Sequence, residues 1–100
     1  MSNIVEKISF TPEKPAVHII RKTDSINYIA IGLLMDQILP EHKTGVPTIL
    51  TVLKGGIEFV IGDQEILLYQ FDTFQIPVNQ VHEVRGLEEQ NVFTLTMEKK

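Results

Sequence analysis

Short apolar segments separated by turn residues recur along the whole chain. Within most of them apolar and polar positions alternate, which is typical of β-strands, and no segment keeps a helical period over three turns. We therefore predict about eight to ten short strands with a turn every eight to ten residues, the spacing of an all-β sandwich or barrel. The predicted strands cover residues 16–22, 27–34, 48–54, 57–61, 65–69, 73–76, 81–85 and 91–97, and residues 35–39 either extend the second strand or start another.

Glycine and proline positions predict how these strands are connected. The Gly-Gly pair at 55–56 and the Gly-Asp pair at 62–63 each supply the positive φ that a two-residue hairpin needs. Residues 40–47 contain two prolines and are predicted to form a loop. Because Pro12 and Pro15 prevent a long helix, the start of the chain is predicted to be an arm, with a turn of helix followed by an extended segment.

The predicted strand 48–54 carries apolar bulk on both of its faces. Leu50 and Val52 lie on one face, and Ile49 and Leu53 lie on the other. In a closed barrel one face would line the interior, so the other face is expected to pack on the arm or on a partner. We therefore predict a homodimer, formed through the arm and the neighbour's sheet.

The amino-acid composition of the chain excludes several classes of function. One hundred residues suit one domain over residues 1–100. The formal charge is −4 and the only basic cluster is the terminal Lys99-Lys100, which argues against nucleic acid as a partner. The chain has no cysteine, so disulfides and thiolate sites are excluded. It shows no signal-peptide pattern and no apolar run of the roughly 18 residues that a membrane span needs, so a cytoplasmic location and no membrane contact are predicted.

Two isolated histidines, His42 and His82, are the strongest candidates for chemistry. Neutral imidazoles bind zinc, nickel, copper and iron well, but a catalytic zinc site uses about three protein ligands and a structural one uses four. The alternative is that both line a pocket with ordinary hydrogen bonds. His18 lies on an early strand and is interpreted as structural or exposed. No nucleophile with a neighbouring base and no phosphate-binding loop is recognisable, so no catalytic residue is assigned.

The residues around His42 match part of a known spacing. The pattern is Gly, five residues, His-x-His, three or four residues, Glu, six residues and Gly. Counted back from Gly55, Thr48 takes the Glu position, Thr44 and His42 take the His positions, and Asp36 takes the opening Gly position.

The residues around His82 match a second spacing: Gly, five residues, Pro-x-Gly, two residues, His, three residues and Asn. Pro77 and His82 fit it, whereas Phe71 and Asn79 replace the two glycines and Gly86 replaces the Asn. With these two patterns, residues 27–97 resemble the small single-domain cupins, with residues 1–26 as an arm and first strand. The resemblance implies a double-stranded β-helix, or jelly-roll, barrel.

The same resemblance implies a degenerate metal site. Two of the family's four ligands are kept as His42 and His82, and the other two are threonines, which are poor ligands and lack the charge of Glu. If the two histidines meet, they share one cavity, and the implied pocket is lined by His42, Thr44, Thr48, Leu50, Val52, His82 and Val84.

Three functions are compatible with such a pocket, because cupins serve many activities. The first is binding of a small molecule in the barrel cavity. The second is a metal-dependent enzyme, dioxygenase- or isomerase-like, in which His42 and His82 hold a divalent transition metal (Zn, Ni or Fe) with a further ligand such as His18 or Glu41. The third is a metal-free, epimerase-like catalyst with one of the two histidines as the acid or base.

Overall fold

The computed structural model describes residues 3–42 and 44–99, with His42 described by its backbone alone. The described residues form nine strands and one short helical turn, Val5–Lys7. The prediction of an all-β protein is therefore confirmed. The strands are β1 Ala16–Lys22, β2 Ile26–Leu34, β3 Ile38–His42, β4 Thr48–Lys54, β5 Gly56–Ile61, β6 Gln64–Tyr69, β7 Thr73–Ile76, β8 His82–Gly86 and β9 Gln90–Glu98.

The strands form two antiparallel sheets that face each other. One sheet has the order β1-β2-β9-β4-β7, and the other has the order β3-β8-β5-β6. Their facing sides meet in one hydrophobic core, because alternate residues of each strand point to the same side. The fully buried members of this core include Leu33, Leu50, Val52, Ile57, Phe59 and Phe93.

The prediction of a hairpin at Gly55-Gly56 is wrong. β4 pairs with β7 and β9, whereas β5 pairs with β6 and β8, so the chain crosses from one sheet to the other at this point. Gly55 does have a positive φ of 70°. A Cβ atom there would lie 2.5 Å from the carbonyl oxygen of Gln90 and from Oδ1 of Asn91, so the crossing requires glycine for space as well as for conformation.

Two other connections can be compared with their predictions. Gly62-Asp63 closes the predicted two-residue hairpin, since Ile61 pairs with Gln64 on the next strand. The loop predicted over 40–47 begins later, because β3 continues through Pro40 to His42. Proline is tolerated there because β3 is the edge strand of its sheet.

The arm packs on the outer face of the five-stranded sheet of its own chain. Ile8 is buried there against Ala30 and Val92, with Phe10 beside them. Gly32 of β2 leaves room for this contact, because a side chain at that position would run into Ile8 and Phe10. The predicted turn of helix is present at Val5–Lys7, and Ile8 after it is extended, but the chain makes a further turn at Pro12 and Glu13 before β1. This helical turn, the only helix among the described residues, is too short to cross a membrane.

Candidate functional site

One end of the barrel, called the mouth below, carries the candidate residues. Two loops, which include residues 44–47 and 77–81, connect the sheets at this end, and the backbone N–H of Asn79 donates to the carbonyl oxygen of Thr44 at 2.7 Å. Cross-strand pairing places one row of residues from each sheet beside these loops. The mouth is defined by Asn27, Met97, Thr48 and Ile76 from the five-stranded sheet, by His42, His82, Ile61 and Gln64 from the four-stranded sheet, and by Thr44 between them.

His42 and His82 are cross-strand partners on β3 and β8. Opposite residues of an antiparallel pair have Cα atoms about 4.5–5.5 Å apart. The backbone therefore brings the two predicted histidines together. Whether both rings line one cavity stays a prediction, because the side chain of His42 lies outside the described part of the chain.

His82 is buried and closely held. Only 2% of it is exposed, and its ring stacks on Phe59 with centroids 5.1 Å apart and an interplanar angle of 20°. Its Nδ1 lies 3.0 Å from the carbonyl oxygen of Gln80. Because a carbonyl oxygen can only accept, we assign the proton to Nδ1, which leaves the lone pair of the neutral ring on Nε2. A histidine fixed in this way presents Nε2 as a base, a hydrogen-bond acceptor or a ligand.

The two threonines at the family's ligand positions differ from each other. Thr48 is 2% exposed, and its hydroxyl donates to the carbonyl oxygen of Val46 at 3.0 Å. The Oγ1 atom of Thr44 is buried and makes no hydrogen bond to any described residue. Thr48 is thus committed to its own loop, whereas Thr44 has a hydroxyl available at the mouth.

The described donor groups at the mouth do not form a metal-binding cluster. Among the described side chains, no three His, Cys, Asp or Glu residues lie close enough together to share an ion. Thr44 and Thr48 supply neutral hydroxyls where a zinc site uses imidazole or charged ligands, whereas Glu41, named as a possible further ligand, lines the cavity beside His82. His18, named as a possible third ligand, lies on the outer face of β1, opposite Ala30 and away from the barrel interior.

The apolar residues predicted to line the pocket lie deeper in the barrel. Leu50, Val52 and Val84 are 0–2% exposed and pack in the hydrophobic core. Phe59 and Phe74 pack together beside them, with ring centroids 4.9 Å apart. Their role as pocket walls stays a prediction, and the structure places them behind His82.

Two open cavities lie at the mouth. One of about 250 Å³ is lined by His82 with Glu41, Val60, Gly62, Val81 and Glu83. Another of about 470 Å³ runs past Thr48 and Ile76 between Pro47 and Pro77. A third cavity, of about 520 Å³, lies at the opposite end of the barrel beside Gly55 and Glu89, and it contains no candidate residue. The chemistry-bearing side chains therefore favour the mouth over the cavity at the opposite end.

Three residues that matter at the mouth were missed by the sequence analysis. The alternation of the strand 57–61 contained a signal for Phe59, because it shares a face with Ile57 and Ile61. The carbonyl group of Gln80 acts through the backbone and has no sequence signal. Asn27 was treated only as part of a strand, although period-two counting places it on the inner face with Ile29 and Ile31.

Backbone conformation supports the register of both motifs. Asp36, Phe71 and Asn79 stand where the motif spacing of the resemblance has glycine, and they are the three non-glycine residues with positive φ in the described chain, at 63°, 73° and 63°. Non-glycine residues rarely adopt this conformation, so its occurrence at these three positions agrees with the glycine spacing. The Asp36 carboxylate also accepts a 2.7 Å hydrogen bond from Arg85. The pKa of Arg85 is raised, first by the hydrogen bond and charge of Glu58 and then by Asp36.

Comparison with solved structures identifies the fold. An RmlC-like cupin from Desulfovibrio desulfuricans superposes with a TM-score of 0.87 at 20% identity, over 99% of this chain and 95% of the other. An uncharacterized conserved protein with a double-stranded β-helix domain from Klebsiella pneumoniae gives 0.88 at 17%, over 99% and 89%. A cupin superfamily protein from Desulfitobacterium hafniense gives 0.84 at 15%, over 93% and 84%. The chain folds as a small cupin domain.

The similarity of this cupin domain to its neighbours is structural. No family model matches the sequence, and no curated protein matches it. All three identities are below 25%, so they establish the cupin fold and do not transfer an activity. Function must be argued from the residues at the mouth.

Proposed function

We propose that this cupin domain binds a small molecule at the mouth of its barrel, with His82 as the central contact and with a degenerate metal site. The observation that carries the proposal is the environment of His82. It is a buried imidazole, held by Phe59 and the Gln80 carbonyl and placed opposite His42, and no three potential metal ligands cluster among the described side chains. A few fixed polar groups on an apolar background are the usual composition of a ligand site.

Polar and apolar groups are arranged for this role. The ring face of His82 that meets Phe59 is apolar, and the mouth adds the hydroxyl of Thr44. The cavity beside Thr48, of about 470 Å³, lies in the lower part of the usual range for ligand sites, and the cavity beside His82, of about 250 Å³, is smaller than that range. We therefore expect a compact ligand that is held by hydrogen bonds more than by charge.

A thermal-shift screen with a variant pair tests this proposal. The panel contains sugars, polyols, amino alcohols and small carboxylic acids. We expect at least one compound to raise the Tm of the wild-type domain and of His18→Gln, but not that of His82→Gln. His18→Gln is the matched control, because it makes the same change on the outer face of β1. A panel that leaves the wild-type Tm unchanged, or an equal shift in both variants, would reject the proposal.

Acid-base catalysis without a metal is the second candidate. It is favoured by the bond from Nδ1 of His82 to Gln80, because in this tautomer Nε2 is the basic nitrogen of the ring. Candidate sugar nucleotides incubated in D2O would exchange a carbon-bound proton when such a base acts on them. Exchange that is lost in His82→Gln and kept in His18→Gln would support catalysis, and exchange that survives in His82→Gln would exclude His82 as the base.

A homodimer formed through β1 is proposed as the assembly. The arm covers its own sheet, so the arm is not the surface offered to a neighbour. Val17 and Ile19 are 59% and 57% exposed, although they face the same side as their core partners Ile31 and Ile29. The four-stranded sheet ends at β3 and leaves β1 as an edge strand with a bare apolar side. A second copy would cover that side and pair with that edge.

A further inference from the structure

Two buried side-chain oxygens lack a partner, and both lie at the mouth. They are Oδ1 of Asn27 and Oγ1 of Thr44, and neither accepts or donates a hydrogen bond within the described chain. Buried polar atoms are normally paired, and leaving one unpaired costs stability. The occurrence of both at the end that carries His82 points to function more than to folding.

Asn27 reaches the mouth from the side opposite to His82. It pairs with Met97, which in turn pairs with Thr48, so these three residues cross the five-stranded sheet in one row. Strands are about 4.8 Å apart, so Asn27 lies roughly 10 Å from Thr48 along that row. It shares the inner face of β2 with the core residues Ile29 and Ile31. Asn27 is therefore directed into the barrel and not to the surface covered by the arm.

We infer that Asn27 is a further ligand-binding residue, and that its Oδ1 accepts a hydrogen bond from a hydroxyl or amino group of the bound molecule. Thr44 supplies a second contact through Oγ1. This inference rests on the proposed function, because it places the ligand in the same mouth. It adds the chemical class: the ligand carries hydrogen-bond donors on the side away from His82.

The class of ligand is defined by the hydrogen-bond donors that it carries and not by its net charge. Lys22 pairs with Asn27 on the neighbouring strand, whereas Glu41 and Glu83 line the cavity beside His82. Charges of opposite sign thus flank the two sides of the mouth. An amide oxygen accepts only from N–H or O–H groups, which sugars, polyols and amino alcohols provide and which acetate and succinate lack at neutral pH.

Asn27→Leu gives the sharpest test, because leucine has a similar volume and no polar atom. Removal of an unpaired buried oxygen should raise the Tm of the ligand-free domain by several degrees, about 4–8 °C. The same change should weaken the binding of a sugar, polyol or amino alcohol by about tenfold. Asn27→Asp keeps an acceptor oxygen and should retain the shift, and Thr44→Val should reduce it.

Matched controls separate this inference from the proposed function. Gln70→Leu makes a similar change at an exposed turn position after β6 and should leave both the Tm and the ligand shift nearly unchanged. If Asn27→Leu keeps the full ligand shift while His82→Gln loses it, the inference on Asn27 is overturned and the proposed function stands. If Asn27→Leu lowers the Tm of the free domain, Asn27 is structural and the inference is also overturned. If no donor-bearing compound binds the wild type, both are rejected.

Discussion

His42 lies directly opposite His82 across the pair of strands β3 and β8. The two are separated by 40 positions in the chain (82 − 42), and each adjoins one of the two loops that connect the sheets. A slip of β3 by one residue would move His42 to the other face of its sheet, so the strand register decides whether the pair forms. The proposed site therefore depends on the packing of the whole barrel.

The tautomer of His82 is a first prediction. Because the Gln80 carbonyl accepts from Nδ1, the neutral ring should be the Nδ1–H form, which is the less common one for a free imidazole. Long-range proton–nitrogen NMR spectra distinguish the two forms by the nitrogen shifts. His18 serves as an internal reference in the same spectrum. A spectrum in which His82 carries its proton on Nε2 would contradict the assignment.

The backbone conformation of Phe71 predicts that its replacement by glycine stabilises the domain. Its φ of 73° is left-handed, and its side chain is 76% exposed, so it gains little from packing. The left-handed conformation costs about 1–2 kcal/mol for a residue with a Cβ atom. Phe71→Gly should therefore increase the free energy of unfolding, by about 0.5–1 kcal/mol after the entropic cost of glycine. Chemical denaturation measures this change.

Tyr69→Gly is the control for that measurement. Tyr69 is a nearby exposed aromatic residue with an ordinary φ, and its ring lies against Gly56. Its replacement should lower the free energy of unfolding. A loss of stability in Phe71→Gly as well would mean that the Phe71 ring has a packing partner, such as a second copy of the chain.

Asn91 should be the most sensitive polar residue at the end of the barrel opposite the mouth. It is fully buried, and its Oδ1 accepts from the backbone N–H groups of Gly56 and Glu88. Its Nδ2 donates to the carbonyl oxygens of Leu33 and Glu88. Asn91→Leu leaves these groups unpaired and should lower the free energy of unfolding by about 2–4 kcal/mol. A loss below 0.5 kcal/mol (about the size of a surface substitution) would show that the network contributes little.

The exposed apolar residues of β1 predict an oligomeric state. Sedimentation at micromolar concentration should show a dimer for the wild type and a monomer for Val17→Lys/Ile19→Lys, because two charges would be buried in the contact. Leu67→Lys, at 52% exposure on the other sheet, is the control and should remain dimeric. A monomeric wild type would exclude the proposed dimer.

The fold was predictable because its main signal is local. Period-two alternation located the strands to within a few residues, and the three non-glycine residues with positive φ in the described chain, Asp36, Phe71 and Asn79, fall where the motif spacing has glycine. The pairing between strands could be predicted less well from the sequence. Gly55-Gly56 has the composition of a hairpin turn, but its crossing between sheets is set by distant contacts with Gln90 and Asn91.

The site was predictable only in part. Motif spacing brought His42 and His82 together, which alternation alone does not do, since 40 residues separate them. The Gln80 carbonyl and the unpaired oxygen of Thr44 depend on loop conformation, for which the sequence contains no periodic signal. The role of Asn27 follows from its place in a row across three strands and required the register.

The most direct test of the central claim is a zinc titration by calorimetry, performed on tag-free protein. The account predicts weak, sub-stoichiometric binding to the wild type, and binding tighter by on the order of a hundredfold or more in Thr44→His/Thr48→Glu, which restores the missing ligands. Thr73→His/Thr51→Glu, with the same changes away from the mouth, should bind as weakly as the wild type. One tight equivalent of zinc in the wild type that disappears in His82→Gln would contradict the account.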